Sequence, residues 1–293
     1  MGYRWSILVA LSIVLLAGCS GVGLGPGSPS VDTPTPANTS TPTATPATTS
    51  ATPTEGRQQF PPGLAADGVE EPFTALDAHA SALREKSYTV HEVREIRYAN
   101  GTLYTRDSSA TRVSSTPGRY LYRSTVNGTA PQFLDGTNGT LVHYSNGSAV
   151  FRKTEIDENA SYGIVTGPGK EPVSPTAVEH GTPLNDERIA VLFGALSNAS
   201  VTQQDDFFAR VTATSLSGES VDIDGNQVSN VTAVSFTATV GSDGQVREYR
   251  LTLRGTLNGH EVNATEHVTY TDVDSTTVEP PAWYDNAASN STA

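Results

Sequence analysis

Three stretches near the C-terminus decide the fold: VTAVSFTATV at 231–240, QVREYRLTLRG at 245–255 and HEVNATEHVTYTDV at 260–273. Each alternates apolar with polar residues. Val234, Phe236, Ala238 and Val240 share one side. Tyr249, Leu251 and Leu253 share one, opposed by Glu248, Arg250 and Arg254. Val262, Ala264, Val268 and Tyr270 share one, opposed by Asn263, Thr265 and Thr269. A period of two with one dry face and one wet face predicts an antiparallel sheet covered on a single side. Gly241–Gly244 and Leu257–His260 supply the turns.

Upstream, the same pattern continues. YTVHEVREIRY (88–98) is followed by Asn100-Gly101, a two-residue hairpin signal. LYTRDSSATRV and RYLYRSTV follow, the second with Tyr120 and Tyr122 on one face. QFL, LVHY and AVFRK are short strands divided by Asp135-Gly136, Asn138-Gly139 and Asn146-Gly147. Two stretches have helical spacing. In PFTALDAHASALREK, Phe73, Leu76, Ala80 and Leu83 fall on one face, Pro72 sits at the start and Arg84 and Lys86 occupy the last turn. In LNDERIAVLFGALSN, Ile189, Leu192, Phe193 and Leu196 form a stripe behind Asn185 as cap. The order is helix, about six strands, helix, about four strands. Glu266 stands on the otherwise apolar face of the last strand. So do Glu92 and Arg94 of the first strand, if no bulge turns them outward. Inward-facing, they form an ion pair or line a polar pocket mouth.

The N-terminus has a different composition. Arg4 precedes a twelve-residue apolar run, Trp5 to Leu16, and then small residues: a secretory signal, too short to span a bilayer. Cys19, the one cysteine in 293 residues, follows at once, which excludes an intramolecular disulfide. Residues 28–54 contain ten Thr, six Pro and a single charge, Asp32. Such a segment cannot bury enough apolar surface to offset its ordering entropy, and it predicts an extended, disordered stalk. The division expected is a signal peptide at 1–18, Cys19 and a disordered linker at 19–68, the sheet domain at 69–284, and a disordered tail at 285–293.

The chain carries 31 acidic residues against 18 basic ones, fifteen of them Arg. That balance opposes nucleic-acid binding and, with so few lysines, suggests a high-salt habitat. Few motifs of chemistry occur. HEVRE at 91–95 lacks the second His of a zinc protease. Asp222-Ile-Asp224-Gly225-Asn226 lacks the glycine position and the distal Glu of a calcium loop, and reads as a turn. There is no Gly-x-Ser-x-Gly elbow and no phosphate loop. The expectation is no catalytic residue, no metal and no cofactor. Asn-x-Ser/Thr sequons mark Asn100, Asn127, Asn138, Asn146, Asn159, Asn198, Asn230 and Asn263 as candidate N-glycosylation sites, besides those at Asn38 and Asn290 in the flanking segments.

Leu16-Ala17-Gly18-Cys19 resembles the lipobox of prokaryotic lipoproteins. The resemblance implies a lipid on the Cys19 sulfur and an outward-facing membrane anchor. The element order, with FTALDAHASALREKSYTV, DGTNGTLVHY and YTDVDSTTVEPPAW, resembles the LolA/LppX-like lipoproteins and surface lipoproteins of halophilic archaea. The resemblance implies an α+β fold: a curved antiparallel half-barrel with two covering helices that holds a hydrophobic ligand. Three readings stay open: a carrier of lipid or another apolar ligand, a structural or interaction protein of the envelope without a pocket, and an anchored hydrolase.

Overall fold

The computed structural model describes residues 60–131, 136–178, 186–204 and 208–289. The chain divides into two units, Met1–Thr54 and Glu55–Ala293, and all described residues lie in the second. The signal peptide, Cys19 and the stalk are outside the described residues, as are the expected strand QFL and the cap Asn185.

Two short strands, β1 (Leu64–Ala65) and β2 (Gly68–Val69), pair with each other ahead of helix α1 (Pro72–Leu83). A meander follows: β3 (Tyr88–Tyr98), β4 (Leu103–Val113), β5 (Arg119–Gly128), β6 (Gly139–Asn146), β7 (Val150–Ile156) and β8 (Asn159–Ile164). Helix α2 (Asp186–Ala195) leads into β9 (Leu196–Gln203), β10 (Phe208–Leu216), β11 (Ser220–Ile223), β12 (Asn226–Gly241), β13 (Val246–Leu257) and β14 (His260–Thr271), and helix α3 (Tyr284–Ser289) comes last. The large sheet runs β8-β7-β6-β5-β4-β3-β14-β13-β12-β10-β9, with β11 paired to β12 off that path. Every pairing is antiparallel. The two meanders join where β3 meets β14, and β8 and β9 are left as edges, so the barrel is open.

Register assigns the faces. Ile96 lies opposite Ala264, Arg94 opposite Glu266 and Val90 opposite Tyr270, so even-numbered residues of β3 and β14 share the inner side. On the β9–β14 half that side is apolar: Phe236, Tyr249, Leu251, Leu253 and Val268 are no more than 2% exposed. Both helices lie on it. Phe193 of α2 meets the Phe236 ring edge-on at 6.0 Å, and His79 of α1 meets the Tyr270 ring at 4.8 Å. The Val246 N–H donates to His79 Nδ1 at 3.1 Å, which ties α1 to the β12–β13 turn. Exposing the Phe236–Val268 surface would create an adhesive patch, so the helices belong to the fold's minimum requirements.

Several expectations need correcting. The buried face of α1 is Ala75, His79 and Leu83, and Phe73 is 74% exposed. The contact with the sheet is made through a hydrogen-bonded histidine, a possibility that apolar spacing overlooks. The helix stops at Leu83, which leaves Arg84 and Lys86 outside its last turn. The Asn100-Gly101 hairpin has four loop residues, closed by Tyr98 N–H to Thr102 O. Leu196 belongs to β9, and β8, β10 and β11 join the strands read from the sequence. Two boundaries also move. Residues expected in the linker are folded: Leu64 is buried, and Val201 N–H donates to Ala66 O at 3.1 Å. Residues expected in the tail form α3, whose Ala287 is fully buried and whose neighbour Tyr284 packs on Phe151 and Tyr144 at 4.7 and 5.3 Å. Tyr144 and Phe151 lie opposite each other on the outer side of the sheet, so the C-terminal segment covers the other face of the other half.

Candidate functional site: a buried ionic cluster on the concave face

The apolar and polar halves of the concave face meet at β3. Its pairing with β14 is unbroken from Thr89–Thr271 to Tyr98–Val262. With no bulge at 92–94, Glu92 and Arg94 point inward, towards Glu266. On β4 and β5 the inward positions beside this pair are polar (Asp107, Ser109 and Thr111, then Tyr122 and Ser124), with Val126 and the Val113–Tyr120 pair at either end. His143 of β6 lies opposite Tyr122, and the two rings are 6.1 Å apart.

Strand β12 brings in one more acid. Its ladder with β13 shifts between Ser229 and Thr232 and again between Thr232 and Ser235, and Asn230 and Ala233 have φ of 50° and 46°. Left-handed residues at bulges bend a strand sharply. The β11–β12 hairpin therefore reaches β3, and Asp224 at its tip stands 3.9 Å from Arg94. The former calcium-loop candidate is a turn: the Gly225 N–H donates to Asp222 Oδ1, and Asn226 Nδ2 donates to the carbonyls of Ile223 and Asp224.

At the centre, Glu266 is fully buried. It accepts hydrogen bonds from Arg188 Nε at 3.0 Å to each carboxylate oxygen and from Tyr249 Oη at 2.9 Å; Arg188 Nη2 makes a third, shorter bond. Arg94 Nε lies 3.4 Å away, and Arg94 also contacts Glu92. Ser124 donates to Asp107 at 2.5 Å.

Charge states follow from this geometry. Burial pushes Glu92 up to about 7, against the pull of Arg94 and with the help of Glu266, Asp107 and Asp224. Burial also raises Asp107 and Asp224. Burial opposes the charge on Glu266 as well, but the Arg188 hydrogen bond, both guanidiniums and the Tyr249 hydroxyl hold it below the usual range. So four carboxylates surround two guanidiniums, and only the one with most donors is held below the ordinary range.

The inward pair Glu92–Arg94 and the odd Glu266 were legible from alternation. Arg188, Asp107 and Asp224 were not. Arg188 sits four residues before Leu192, at the edge of the apolar stripe of α2, and that position was its one signal. All eight candidate glycosylation asparagines from Asn100 to Asn263 are exposed. Asn100 and Asn146 use Oδ1 to accept backbone N–H groups in turns, and Asn138 Oδ1 accepts from the Gly128 N–H across the β5–β6 connection. Asn230 and Asn263 flank a polar hollow of about 520 Å³ with Arg254.

The family model that matches residues 4–287 is the Family of unknown function (DUF7537). The chain belongs to that family. No curated protein matches it. Among solved structures, it is similar to LprF from Mycobacterium bovis, at 12% identity and a TM-score of 0.37, over 73% of this chain and 98% of that one. It is also similar to the LolA superfamily protein NE2245 from Nitrosomonas europaea, at 8% identity and a TM-score of 0.25, over 71% and 94%. A porin-like protein from Bacteroides uniformis shares 10% identity at a TM-score of 0.16, over 63% and 95%.

Proposed function

We propose that this member of the DUF7537 family is a non-enzymatic, lipid-anchored carrier at the cell surface. A lipid on Cys19 holds it to the membrane, facing outward, and the apolar half of its concave face takes a hydrophobic ligand when α2 lifts. The supporting observation is the Arg188–Glu266 pair, which fastens an amphipathic helix onto an apolar sheet through charge. An ion pair under a helix adds little net stability compared with an apolar contact, because both groups regain water when it opens. It therefore suits a closure that is specific in position yet releasable. The acidic residues of the cluster engage arginines and hydroxyls, which favours a binding role over hydrolysis.

The envelope-structural reading is favoured by one observation: the apolar face is filled, with Leu251 and Val268 completely buried. Native mass spectrometry of detergent-free protein separates the two. A co-purifying lipid mass, or binding of N-phenyl-1-naphthylamine that strengthens in Arg188→Gln, supports carriage. Bare protein with no probe binding in either form leaves the structural reading.

A further inference from the structure

The convex face has a charge opposite to that of the protein as a whole. On the outward positions of β3, β4, β10 and β12–β14 stand Arg97, Arg106, Arg112, Arg210, Arg250 and Arg254, against Glu95, Glu248 and Glu261. That is a cationic surface on a chain of net charge −13. Glu95 engages Arg97 and Arg106 at 2.5 and 3.1 Å. Arg210, Arg250 and Arg254 are exposed, and none forms an ion pair with a described residue.

Two of these arginines wall a hollow of about 340 Å³. Two adjacent rows of the sheet build it. One row is Arg210, Thr239 and Glu248; the next is Thr237, Arg250 and His267. Four strands thus present two guanidiniums, two hydroxyls, an imidazole and one carboxylate within one shallow depression. Thr239 donates to Glu248 at 3.3 Å, which steadies that carboxylate as an acceptor.

We infer that this hollow binds an acidic saccharide, carboxylated or sulfated. Guanidiniums match planar or tetrahedral oxyanions with paired N–H donors. A bare anion would gain nothing from Glu248 and would be repelled by it. A sugar has hydroxyl donors for that carboxylate and hydroxyl acceptors for Thr237 and Thr239. The convex curvature and the polar lining also disfavour a bilayer, which rewards apolar side chains at its surface. This site lies on the face opposite the proposed carrier surface, and its occupancy does not depend on carriage.

Fluorescence anisotropy with labelled tetragalacturonate, and competition with dextran sulfate, neutral dextran and phosphatidylglycerol vesicles, tests the inference on the purified full chain. The expected result is binding of the carboxylated or the sulfated probe with no competition by dextran. Arg250→Gln should weaken it at least tenfold and Thr237→Val severalfold. Arg112→Gln, on the same face but outside the hollow, should change it less than twofold. Equal losses for Arg112→Gln and Arg250→Gln would reduce the site to diffuse charge and overturn it. So would absence of binding to both acidic probes, or binding to vesicles alone.

Discussion

Arg188 of helix α2 forks onto Glu266 in the centre of the sheet, with Nε 3.0 Å from each carboxylate oxygen, and Glu266 has no solvent exposure. Removing the carboxylate's charge takes from Arg188 its carboxylate partner in a largely buried setting and leaves Arg94 with Glu92 and Asp224. Glu266→Gln should therefore cost about 3–5 kcal/mol of unfolding free energy, the usual penalty for breaking a buried pair from one side. Arg188→Gln should cost less, because Arg94 and Tyr249 still serve Glu266. Urea denaturation of the three proteins measures both; equal losses would mean that Arg94 is no partner.

The cluster predicts a two-sided pH profile. Glu92 is raised from 4.5 to about 7 by burial, so the folded state holds a proton that the unfolded chain has released. Its contribution is fully present below pH 4.5 and is lost as pH rises through 7. At ~1.4 kcal/mol per unit, the span corresponds to about 3 kcal/mol. Glu266 is lowered, so its contribution is present above 4.5 and is lost as pH falls further. Thermal melts across pH 4 to 8 should show Glu92→Gln flattening the high-pH fall and gaining stability at pH 8. An unchanged slope in that variant would place the proton elsewhere.

A chain beginning at Asp67 should be less stable than one beginning at Glu55. The longer one retains Phe60, buried Leu64 and the Ala66 carbonyl that accepts from Val201 N–H. Loss of the Leu64 burial alone amounts to about 1.5–3 kcal/mol. Differential scanning calorimetry in the same salt compares them, and coincident melts would show that the β1–β2 hairpin contributes nothing.

Gly244 has φ of 86°, and a Cβ there would lie 2.4 Å from the Cβ of Ala78 on α1. Gly244→Ala should strain the turn and push α1 away, weakening the Val246–His79 bond two residues on. A cost of a few kcal/mol is expected from a left-handed non-glycine residue combined with an overpacked contact. Faster amide exchange at Val246 would locate the effect; a native exchange rate would contradict it.

Cys19→Ser removes the nucleophilic sulfur on which the proposed anchor depends. The variant should appear in the soluble extracellular fraction or retain residues 1–18. A processed N-terminus on protein still bound to membranes would rule out the thioether.

Much of the fold was written locally. The period-two runs of β12, β13 and β14 fixed which of their faces is dry, because adjacent residues of a strand must point to opposite sides. For the same reason Glu266 could be placed on the dry side before any pairing was known, while Glu92 and Arg94 waited on the absence of a bulge, which the unbroken β3–β14 ladder supplied. The helices were legible as helices, but the face of α1 was not: Phe73 is outward and His79 inward because a turn of the distant β12–β13 hairpin offers His79 a hydrogen bond. Only the tertiary structure put β3 beside β14, bent β12 at Asn230 and Ala233 until Asp224 reached Arg94, and placed α2 so that Arg188 meets Glu266. Strand β9 was obscure because its inward Ser197, Ala199 and Gln203 are small or polar, and β11, with Val221 and Ile223 inward, is too short at four residues to establish a period. Of the convex arginines, Arg250 and Arg254 were legible as the wet side of their own strand, but the group was not, since its members come from four strands and become neighbours only through register. Alternation along one strand is a property of that strand; the meeting of charges across strands belongs to the sheet.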